Sequence, residues 1–505
     1  MVSSVTSLGI SGIKGFYVSV QCYIGPGGPA FDVVGLPDAA VREARDRVRA
    51  AIRSLGRDFP DGRITVNLAP AFLKKEGSVY DLPILLSILC ADGQIPMLNP
   101  DHAFIGELSL DAKVCVTHGM LPMSLAAAQN GLHTLFCPAD CAYEATLADD
   151  LTVYPVSRVE DLIDHLRGVR PIPAQSRWTP PPADPNAPHL DLADVQGQYL
   201  AKRALEIAAA GGHHLILTGP PGVGKSMLAQ RIISILPPLT HSEALETTSV
   251  YSVAGILDPN RPLISERPFR SPHHSTSIGG LAGGGRIPKP GELSLAHNGV
   301  LFLDELPEFA ADALEVLRQP IETGEITLAR VNGTLTYPCR FMLVAAMNPC
   351  KCGYHGSPFH PCTCSEESVR RYREKISGPL LDRIDLHVNV PQLRFDEMHG
   401  PTPEHSASIR ARVCAARERQ VARFRDYPGV YCNAQMTPKM VRSMIRLEPE
   451  VEEHLRMLYD RLHMSGRAHD RVLRVASTIA DLEARPEHIT VKDIEDAVDF
   501  RAEFK

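Results

Sequence analysis

The stretch Leu215–Ser226 reads LILTGPPGVGKS. Its first three residues form a short apolar run, which is typical of a buried parallel strand, and a helix is predicted to start near Met227. Between them lies the spacing G-x-x-x-x-G-K-S, in the strand-to-helix context that phosphate-binding loops require. Glycines are needed there because backbone N–H groups must approach phosphate oxygens closely, and the helix N-terminus adds a partial positive charge.

The stretch therefore predicts a site for a nucleoside triphosphate with Mg²⁺. Lys225 is expected to reach the β- and γ-phosphates, and Ser226 to ligate the metal. A glycine-rich turn that only caps a helix is the alternative, which the strand, the lysine and the serine together disfavour. The predicted binding residues are Gly219, Pro220, Pro221, Gly222, Val223, Gly224, Lys225 and Ser226.

A second apolar run, Leu301–Leu303, ends in the paired acids Asp304 and Glu305. An apolar strand that ends in two carboxylates is a Walker B pattern. Asp304 is expected to hold Mg²⁺, through water, and Glu305 to polarise the attacking water as general base. Paired acids after a strand can also cap the next helix, but the phosphate loop earlier in the chain favours the catalytic interpretation.

Length and composition bound the class of protein. At 505 residues the chain is too long for one core, and domains of about 100–200 residues suggest three of them. No run reaches the roughly 18 apolar residues of a membrane span, so no membrane contact is expected. The N-terminal stretch lacks the basic and apolar regions of a signal peptide, which predicts a cytoplasmic protein. A net charge of −7 argues against a general nucleic-acid coat, but it permits a local basic channel.

Two groups of residues are candidate metal ligands. Because no export signal is predicted, the 12 cysteines are expected to be thiols or metal ligands rather than disulfides. Two C-x-C pairs could bind one Zn²⁺, with His355 or His360 as substitute ligands, and a loop of reduced thiols is the alternative. For His273 and His274 we expect structural hydrogen bonding, since no cysteine or acid lies at zinc spacing. The predicted zinc ligands are Cys350, Cys352, Cys362 and Cys364.

Residues 1–166 are predicted to form a separate α/β domain. FIGELSL at 104–110, HGM at 118–120 and AAAQNG at 126–131 make this region similar to the proteolytic domain of Lon proteases, which uses a Ser–Lys dyad. At the positions that match the dyad, this chain has Val79 and Leu121, and Ser78 lies one residue away. We therefore expect a Lon-protease-like domain without peptidase activity.

A proline-rich linker is predicted at 167–189, an ATPase core at 190–392, and a mostly helical lid at 393–505. In the core, DVQGQ at 194–198 and the helix after it resemble the segment that packs on adenine in AAA+ ATPases. This resemblance implies ATP as the nucleotide and an α/β fold with a parallel sheet.

Three further residues take their expected roles from the same resemblance. Asn348 follows the apolar strand at 341–346 and matches sensor 1, where an amide orients the water. Arg383, in SGPLLDRID at 377–385, matches the arginine finger that completes a neighbouring subunit's site. Arg467, in SGRAHDRVLR at 465–474, matches sensor 2, and Arg471 and Arg474 remain alternatives.

The most specific stretches are RPFRSPHH at 267–274 and PGELSLAHNG at 290–299. They resemble the insert of magnesium-chelatase-like AAA+ ATPases, here of the YifB/ComM branch, and the resemblance covers essentially the full length. It implies an ATP-driven ring motor, most simply a homo-hexamer, that acts on single-stranded or branched DNA as a branch-migration helicase in recombination and natural transformation. Two alternatives stay open: ATP-driven protein remodelling or a chelatase-like chaperone, and a regulatory NTPase without translocation.

The lining of a ring pore is expected to separate these functions. Residues 326–337 are predicted as a hairpin whose turn carries the Asn-Gly signal, with Arg330 beside its tip. The loop at 283–289 carries Arg286 and Lys289. Protein-threading AAA+ motors usually place an aromatic residue at the pore tip, so these cations favour DNA. The alternative is that both loops are only exposed to solvent and contact no substrate.

Overall fold

A computed structural model of the chain describes residues 2–181, 190–285, 288–330, 333–398, 403–486 and 488–501. Within these ranges no helix is long and apolar enough to cross a membrane. The strands are β1 (Val2–Ser11), β2 (Lys14–Gly25), β3 (Ala30–Val34), β4 (Arg63–Ala69), β5 (His102–Phe104), β6 (Glu107–Leu108), β7 (Val114–Cys115), β8 (Thr134–Pro138), β9 (Thr152–Val156), β10 (Leu215–Thr218), β11 (Phe269–Arg270), β12 (Gly283–Gly284), β13 (Lys289–Pro290), β14 (Val300–Leu303), β15 (Glu325–Arg330), β16 (Gly333–Pro338), β17 (Met342–Met347) and β18 (Leu386–Asn389).

The helices follow the same chain-order numbering. They are α1 (Ala39–Ser54), α2 (Asp81–Ala91), α3 (Met120–Gln129), α4 (Ala142–Ala145), α5 (Val159–Leu166), α6 (Tyr199–Gly211), α7 (Lys225–Arg231), α8 (His241–Ala254), α9 (Ile278–Ala282), α10 (Glu292–Leu295), α11 (Ala311–Glu315), α12 (Arg318–Thr323), α13 (Glu366–Arg373), α14 (Gly378–Leu381), α15 (Phe395–Met398), α16 (Ser406–Arg423), α17 (Pro438–Met444), α18 (Pro449–Arg461), α19 (Gly466–Leu482) and α20 (Val491–Asp499).

The chain forms two compact units, and each unit is built from two separate segments of the sequence. The first comprises Met1–Ala183 and His241–Ile264, and the second comprises Asp184–Thr240 and Ser265–Lys505. Helix α8 thus belongs to the first unit, although the predicted core at 190–392 included it. Ser252 connects α8 to this unit. Its carbonyl accepts a hydrogen bond from Gly119 N at 3.1 Å, and its hydroxyl donates to the carboxylate of Glu144 in α4.

The first unit is built on a seven-stranded mixed sheet of order β3-β4-β2-β1-β5-β8-β9. Helix α2 is buried along its whole length because nearly all of its residues are apolar. Its one carboxylate, Asp81, receives two hydrogen bonds from the guanidinium of Arg47, at 2.6 and 3.0 Å. A buried charge held by a paired, hydrogen-bonded partner is tolerated in such a core.

In the same unit, Ser78 and Lys75, which lie in the stretch before the expected nucleophile position, have separate partners. The Ser78 hydroxyl donates to the carboxylate of Glu107, and the buried Lys75 ammonium donates to the Leu73 carbonyl at 2.8 Å. Leu121, at the position that matches the lysine, is fully buried. That the unit resembles the Lon proteolytic domain, and that it lacks peptidase activity, both stay predictions.

The second unit contains a five-stranded sheet of order β11-β14-β17-β10-β18 whose strands are all parallel. The α/β class and the parallel sheet are therefore confirmed. Thr218 at the end of β10 lies opposite Met347 at the end of β17, and Leu303 at the end of β14 lies opposite Ala345. Because parallel strands end at one edge, the loops that follow β10, β14 and β17 meet there.

The other end of this sheet is joined to the C-terminal helices by a buried ionic cluster. Asp385, just before β18, accepts from His213 Nδ1 at 3.1 Å and lies 3.5 Å from Arg471 Nε of α19. His213 Nε2 lies 2.8 Å from the hydroxyl of Thr478, also on α19. Burial opposes ionisation of Asp385, but the His213 hydrogen bond and the nearby positive charges hold its pKa well below the usual range. The cluster fixes α19 against the sheet, while the role of the helical region as a lid stays a prediction.

Replacing the central acid of this cluster is expected to destabilise the second unit. Asp385→Ala leaves the Arg471 guanidinium buried without its carboxylate, so we expect the free energy of unfolding to fall by about 3–5 kcal/mol. Urea titration followed by circular dichroism measures the loss. Asp396→Ala, an exposed acid of α15, is the matched control. Equal stability of the two variants would show that the cluster contributes nothing.

Candidate nucleotide site

The predicted phosphate loop lies between β10 and α7 and has the backbone that close approach to an anion requires. Gly222 and Gly224 have φ angles of 81° and 90°, in the left-handed region that favours glycine. Open space surrounds the position of a Cβ at either residue. At the start of the loop, Gly219 N donates to the Met347 carbonyl at 3.2 Å, which joins the loop to the end of β17.

The Lys225 ammonium lies inside this loop. The residue is 8% exposed, and Nζ donates to the carbonyls of Gly219 at 2.7 Å and Pro220 at 2.8 Å. A third contact, at 3.1 Å, reaches Oδ1 of Asn348, the residue that follows β17. Burial lowers the pKa of Lys225 to about 8, against the opposing effect of the two acids after β14. The cation therefore bridges the loop and the amide at the place where phosphate oxygens are expected.

The paired acids after β14 face different partners. Asp304 Oδ2 accepts from the Ser226 hydroxyl at 2.6 Å, so the two predicted magnesium ligands already adjoin. A hydroxyl and a carboxylate are hard oxygen donors of the kind that Mg²⁺ prefers, and this donor set fits the metal. Glu305 has a φ of 50°, unusual for a residue with a side chain, and its carboxylate is 56% exposed.

Glu305 has one neighbour that sequence reasoning missed. His274 Nδ1 lies 3.6 Å from Glu305 Oε2. For His273 the expected structural bond is present, because its Nδ1 lies 2.8 Å from the Ser275 hydroxyl. The adjacent histidine instead faces the acid expected to act as general base, and no spacing in the sequence signals that pairing.

Arg383, the expected arginine finger, has partners within its own chain. Its guanidinium is 10% exposed and pairs with Glu322 at 2.6 Å, and Nη1 donates to the Pro379 carbonyl at 2.6 Å. Its Nε is buried and has no hydrogen-bond partner among the described residues. To reach a neighbouring subunit, this side chain must first leave Glu322.

The three sensor-2 candidates on α19 differ in their surroundings. Arg471 is buried against Asp385, and burial lowers its pKa to about 10. Arg474 donates to the Ala434 carbonyl at 3.4 Å. Arg467 is exposed in the first turn of the helix, where no ion pair to a described residue holds it. Its freedom agrees with the choice of Arg467, whose role nonetheless stays a prediction.

The two expected cation-bearing loops are hairpins that touch each other. The Tyr337 hydroxyl of β16 donates to the Pro288 carbonyl, beside β13, at 2.7 Å. Lys289 of β13 is exposed. Arg330 ends β15, where its backbone pairs with Gly333, and its side chain lies outside the described residues, as does the whole of Arg286.

The four cysteines of the two C-x-C pairs come together in one cluster. All four Sγ atoms lie within 4.8 Å of one another. Cys350 Sγ is 3.3 Å from Cys352 Sγ and 3.7 Å from Cys362 Sγ. Four sulfurs around zinc at about 2.3 Å are roughly 3.8 Å apart, so this donor set fits tetrahedral zinc. Backbone N–H groups, chiefly that of Tyr354, lower the pKa of Cys352 to about 5, whereas at Cys362 the lowering by the Cys364 N–H is outweighed by burial and the neighbouring thiols, which raise the pKa of Cys362 to about 12.

The cysteine loop also packs on the phosphate loop, a contact that the sequence does not signal. A Cβ at Gly353, whose φ is 89°, would stand only 2.7 Å from Cδ of Pro221. A cavity of about 480 Å³ lies beside this contact and is lined by residues of both loops, among them Gly219, Pro220 and His355. The cysteine cluster is thus placed to support the phosphate loop.

Comparison with known proteins gives a consistent result along the chain. Residues 20–141 match the family model "Subunit ChlI of Mg-chelatase", 191–398 match "Magnesium chelatase, subunit ChlI", and 403–501 match "Magnesium chelatase, subunit ChlI C-terminal".

Three relatives share almost the full length. An uncharacterized protein of Mycobacterium tuberculosis H37Rv is 44% identical, covering 95% of this chain and 94% of the relative. Competence protein ComM of Haemophilus influenzae Rd is 41% identical, covering 97% and 96%. YifB of Escherichia coli K12 is 41% identical, covering 97% and 95%.

The geometry of the cysteine cluster generates a metal-content prediction. Protein purified without chelator is expected to hold about one zinc per chain, because four clustered thiolates satisfy its coordination. Cys362→Ser should lose most of that zinc in elemental analysis, whereas Cys414→Ser, on α16 outside the cluster, should keep it. Wild-type protein free of zinc, or zinc unchanged in Cys362→Ser, would contradict the assignment.

Proposed function

Because the chain belongs to the YifB/ComM family of magnesium-chelatase-like AAA+ proteins, we propose that it is an ATP-driven ring motor that acts on DNA. The observation that carries the ATPase part is the meeting of four side chains at one edge of the parallel sheet. Lys225 contacts Asn348, and Ser226 contacts Asp304. These residues follow three different strands, and a phosphoryl-transfer site needs this combination of cation, metal ligands and orienting amide.

In this proposal each side chain has one task. Lys225 releases the loop carbonyls of Gly219 and Pro220 and donates to phosphate oxygens. Ser226 and Asp304 hold Mg²⁺, which neutralises charge on the phosphates when it is bound with ATP. Glu305 accepts the proton of the attacking water, and Asn348 orients that water.

The proposed assembly is a homo-hexameric ring. Family membership supports it, and Arg383 at the finger position would stabilise transition-state charge in a neighbour's site. Its ion pair with Glu322 is then a contact of the isolated chain that exchanges for phosphate contacts on assembly. Arg467, exposed at the start of α19, would serve the nucleotide as sensor 2.

DNA is the proposed substrate, as single strands or branched duplex in recombination and natural transformation. Two observations support it: the 41% identity to a competence protein, and the adjoining hairpins that carry Lys289 and Arg330. Arg286 belongs to the same loop in sequence. A ring repeats each cation once per subunit, so a channel can be strongly positive in a chain of net charge −7. Phosphate contacts of this kind are independent of base sequence.

Magnesium-dependent ATP hydrolysis is the first test. Lys225→Ala should abolish binding or turnover, because the phosphate charge loses its buried cation. Glu305→Gln should keep ATP binding and lose at least about 10²-fold in turnover, the contribution of a general base. Phosphate release and binding of a fluorescent ATP analogue separate these effects. Glu308→Gln, a nearby acid that pairs with Lys375, is the control and should turn over normally. Normal rates in both site variants would refute the ATPase.

DNA stimulation of the ATPase is the second test. Lys289→Ala and Arg330→Ala should weaken stimulation by single-stranded and branched DNA, and strand displacement, while the rate without DNA stays near that of wild type. Binding should weaken steeply with salt, and each variant should show a shallower salt dependence because fewer counterions are released.

The control for this test is Lys439→Ala, an exposed lysine of α17 remote in sequence from both hairpins. It should leave DNA stimulation unchanged. If neither form of DNA binds or stimulates at low salt while a protein client does, the remodelling function replaces the DNA motor.

A further inference from the structure

The segment between β11 and α9 places a histidine against the acid expected to act as general base. His274 Nδ1 lies 3.6 Å from Oε2 of Glu305. The imidazole is held on two sides, since its ring centroid is 4.0 Å from that of His273 and 6.5 Å from that of Phe309, which it meets edge-on. These two rings restrict the orientation of a side chain that is 37% exposed, and Nδ1 is the ring atom that lies near the carboxylate.

The carboxylate of Glu305 needs such a neighbour. It is 56% exposed and sits on a left-handed backbone at φ 50°. Among the described residues, His274 is the one basic side chain that forms an ion-pair contact within 4.0 Å of this carboxylate. An exposed glutamate without a fixed partner samples several rotamers, and a general base has to point at one water.

We propose that His274 is a positioning residue that holds the Glu305 carboxylate in its productive orientation. The inference rests on the ATP hydrolysis proposed above and adds a residue to that site. A separation of 3.6 Å is too long for a hydrogen bond, but such contacts commonly tighten once a substrate fills the site. The donor is the Nδ1 side of the ring, so the position on the ring matters as well as the residue type.

The neighbouring histidine shows that the loop does not need both imidazoles for its own structure. His273 Nδ1 lies 2.8 Å from the Ser275 hydroxyl and also accepts from Ser275 N at 3.3 Å, which closes the turn locally. His274 makes no comparable bond to its own loop among the described residues. Its Nδ1 atom instead lies near the carboxylate of Glu305.

Four substitutions separate positioning from packing. His274→Phe keeps the ring contacts and removes the donor, so kcat for ATP should fall about tenfold or more, the worth of one hydrogen bond to a charged carboxylate, with KM changed less than about twofold. His274→Asn places an amide nitrogen near the Nδ1 position and should restore most of kcat. His274→Gln places it near Nε2 and should not. His273→Phe keeps the stacking partner and should leave kcat unchanged.

The measurements are steady-state phosphate release by the full-length protein and binding of a fluorescent ATP analogue, with the magnesium salt of ATP as substrate. We expect a low kcat for His274→Phe and His274→Gln and a kcat near that of wild type for His274→Asn. All of these variants should bind ATP equally well. Wild-type kcat in His274→Phe, an equal loss in Asn and Phe, or a raised KM with unchanged kcat would each overturn the positioning role. Because each is read against active wild-type protein, these outcomes leave the ATPase proposal standing, whereas inactive wild-type protein removes that proposal.

Discussion

The buried ammonium of Lys225 is the contact on which the rest of the site depends. A cation that is 8% exposed keeps its charge only when oxygen atoms surround it, and here the oxygens are two loop carbonyls and the Asn348 amide. The carbonyls reach it because the loop turns at glycines with positive φ. The amide reaches it because β17 lies beside β10 in register. The phosphate loop, the order of the strands and Asn348 therefore form one arrangement around a buried positive charge.

The cysteine cluster extends this arrangement on its other side. Cys350 follows Asn348 after a single proline, and Gly353 packs against Pro221 of the phosphate loop. Any side chain at Gly353 would collide with that proline, and the φ of 89° also favours glycine. The four Sγ atoms of the two C-x-C pairs lie within 4.8 Å of one another, so a single metal ion could close the loop between the pairs. A metal bound at this site would hold the segment after Asn348 close to the phosphate loop.

Much of the site could be predicted from the sequence because its signals are local. The glycines, Lys225 and Ser226 are consecutive, and paired acids directly follow an apolar strand. The pairings between distant segments could not be predicted in this way. His274 with Glu305 and Arg383 with Glu322 join residues that are distant in sequence, and no periodicity in the sequence indicates either pair. The membership of α8 in the first unit was missed for a related reason. Its buried side chains are largely hydroxyls bonded within the helix or to that unit, so no apolar stripe marks its partner.

Local charge, more than net charge, would decide which polymer the proposed ring can hold. The chain is net acidic, but at physiological ionic strength charges more than about 8 Å apart in water are largely screened. A polymer in a narrow channel therefore responds to the side chains that line it. The hydrogen bond from the Tyr337 hydroxyl to the Pro288 carbonyl joins the hairpin that carries Lys289 to the β15–β16 hairpin. A polyanion gains from this surface through counterion release, whereas an unfolded protein of mixed charge does not. If the proposed ring forms, an exposed lysine on these joined hairpins would favour DNA over a protein client.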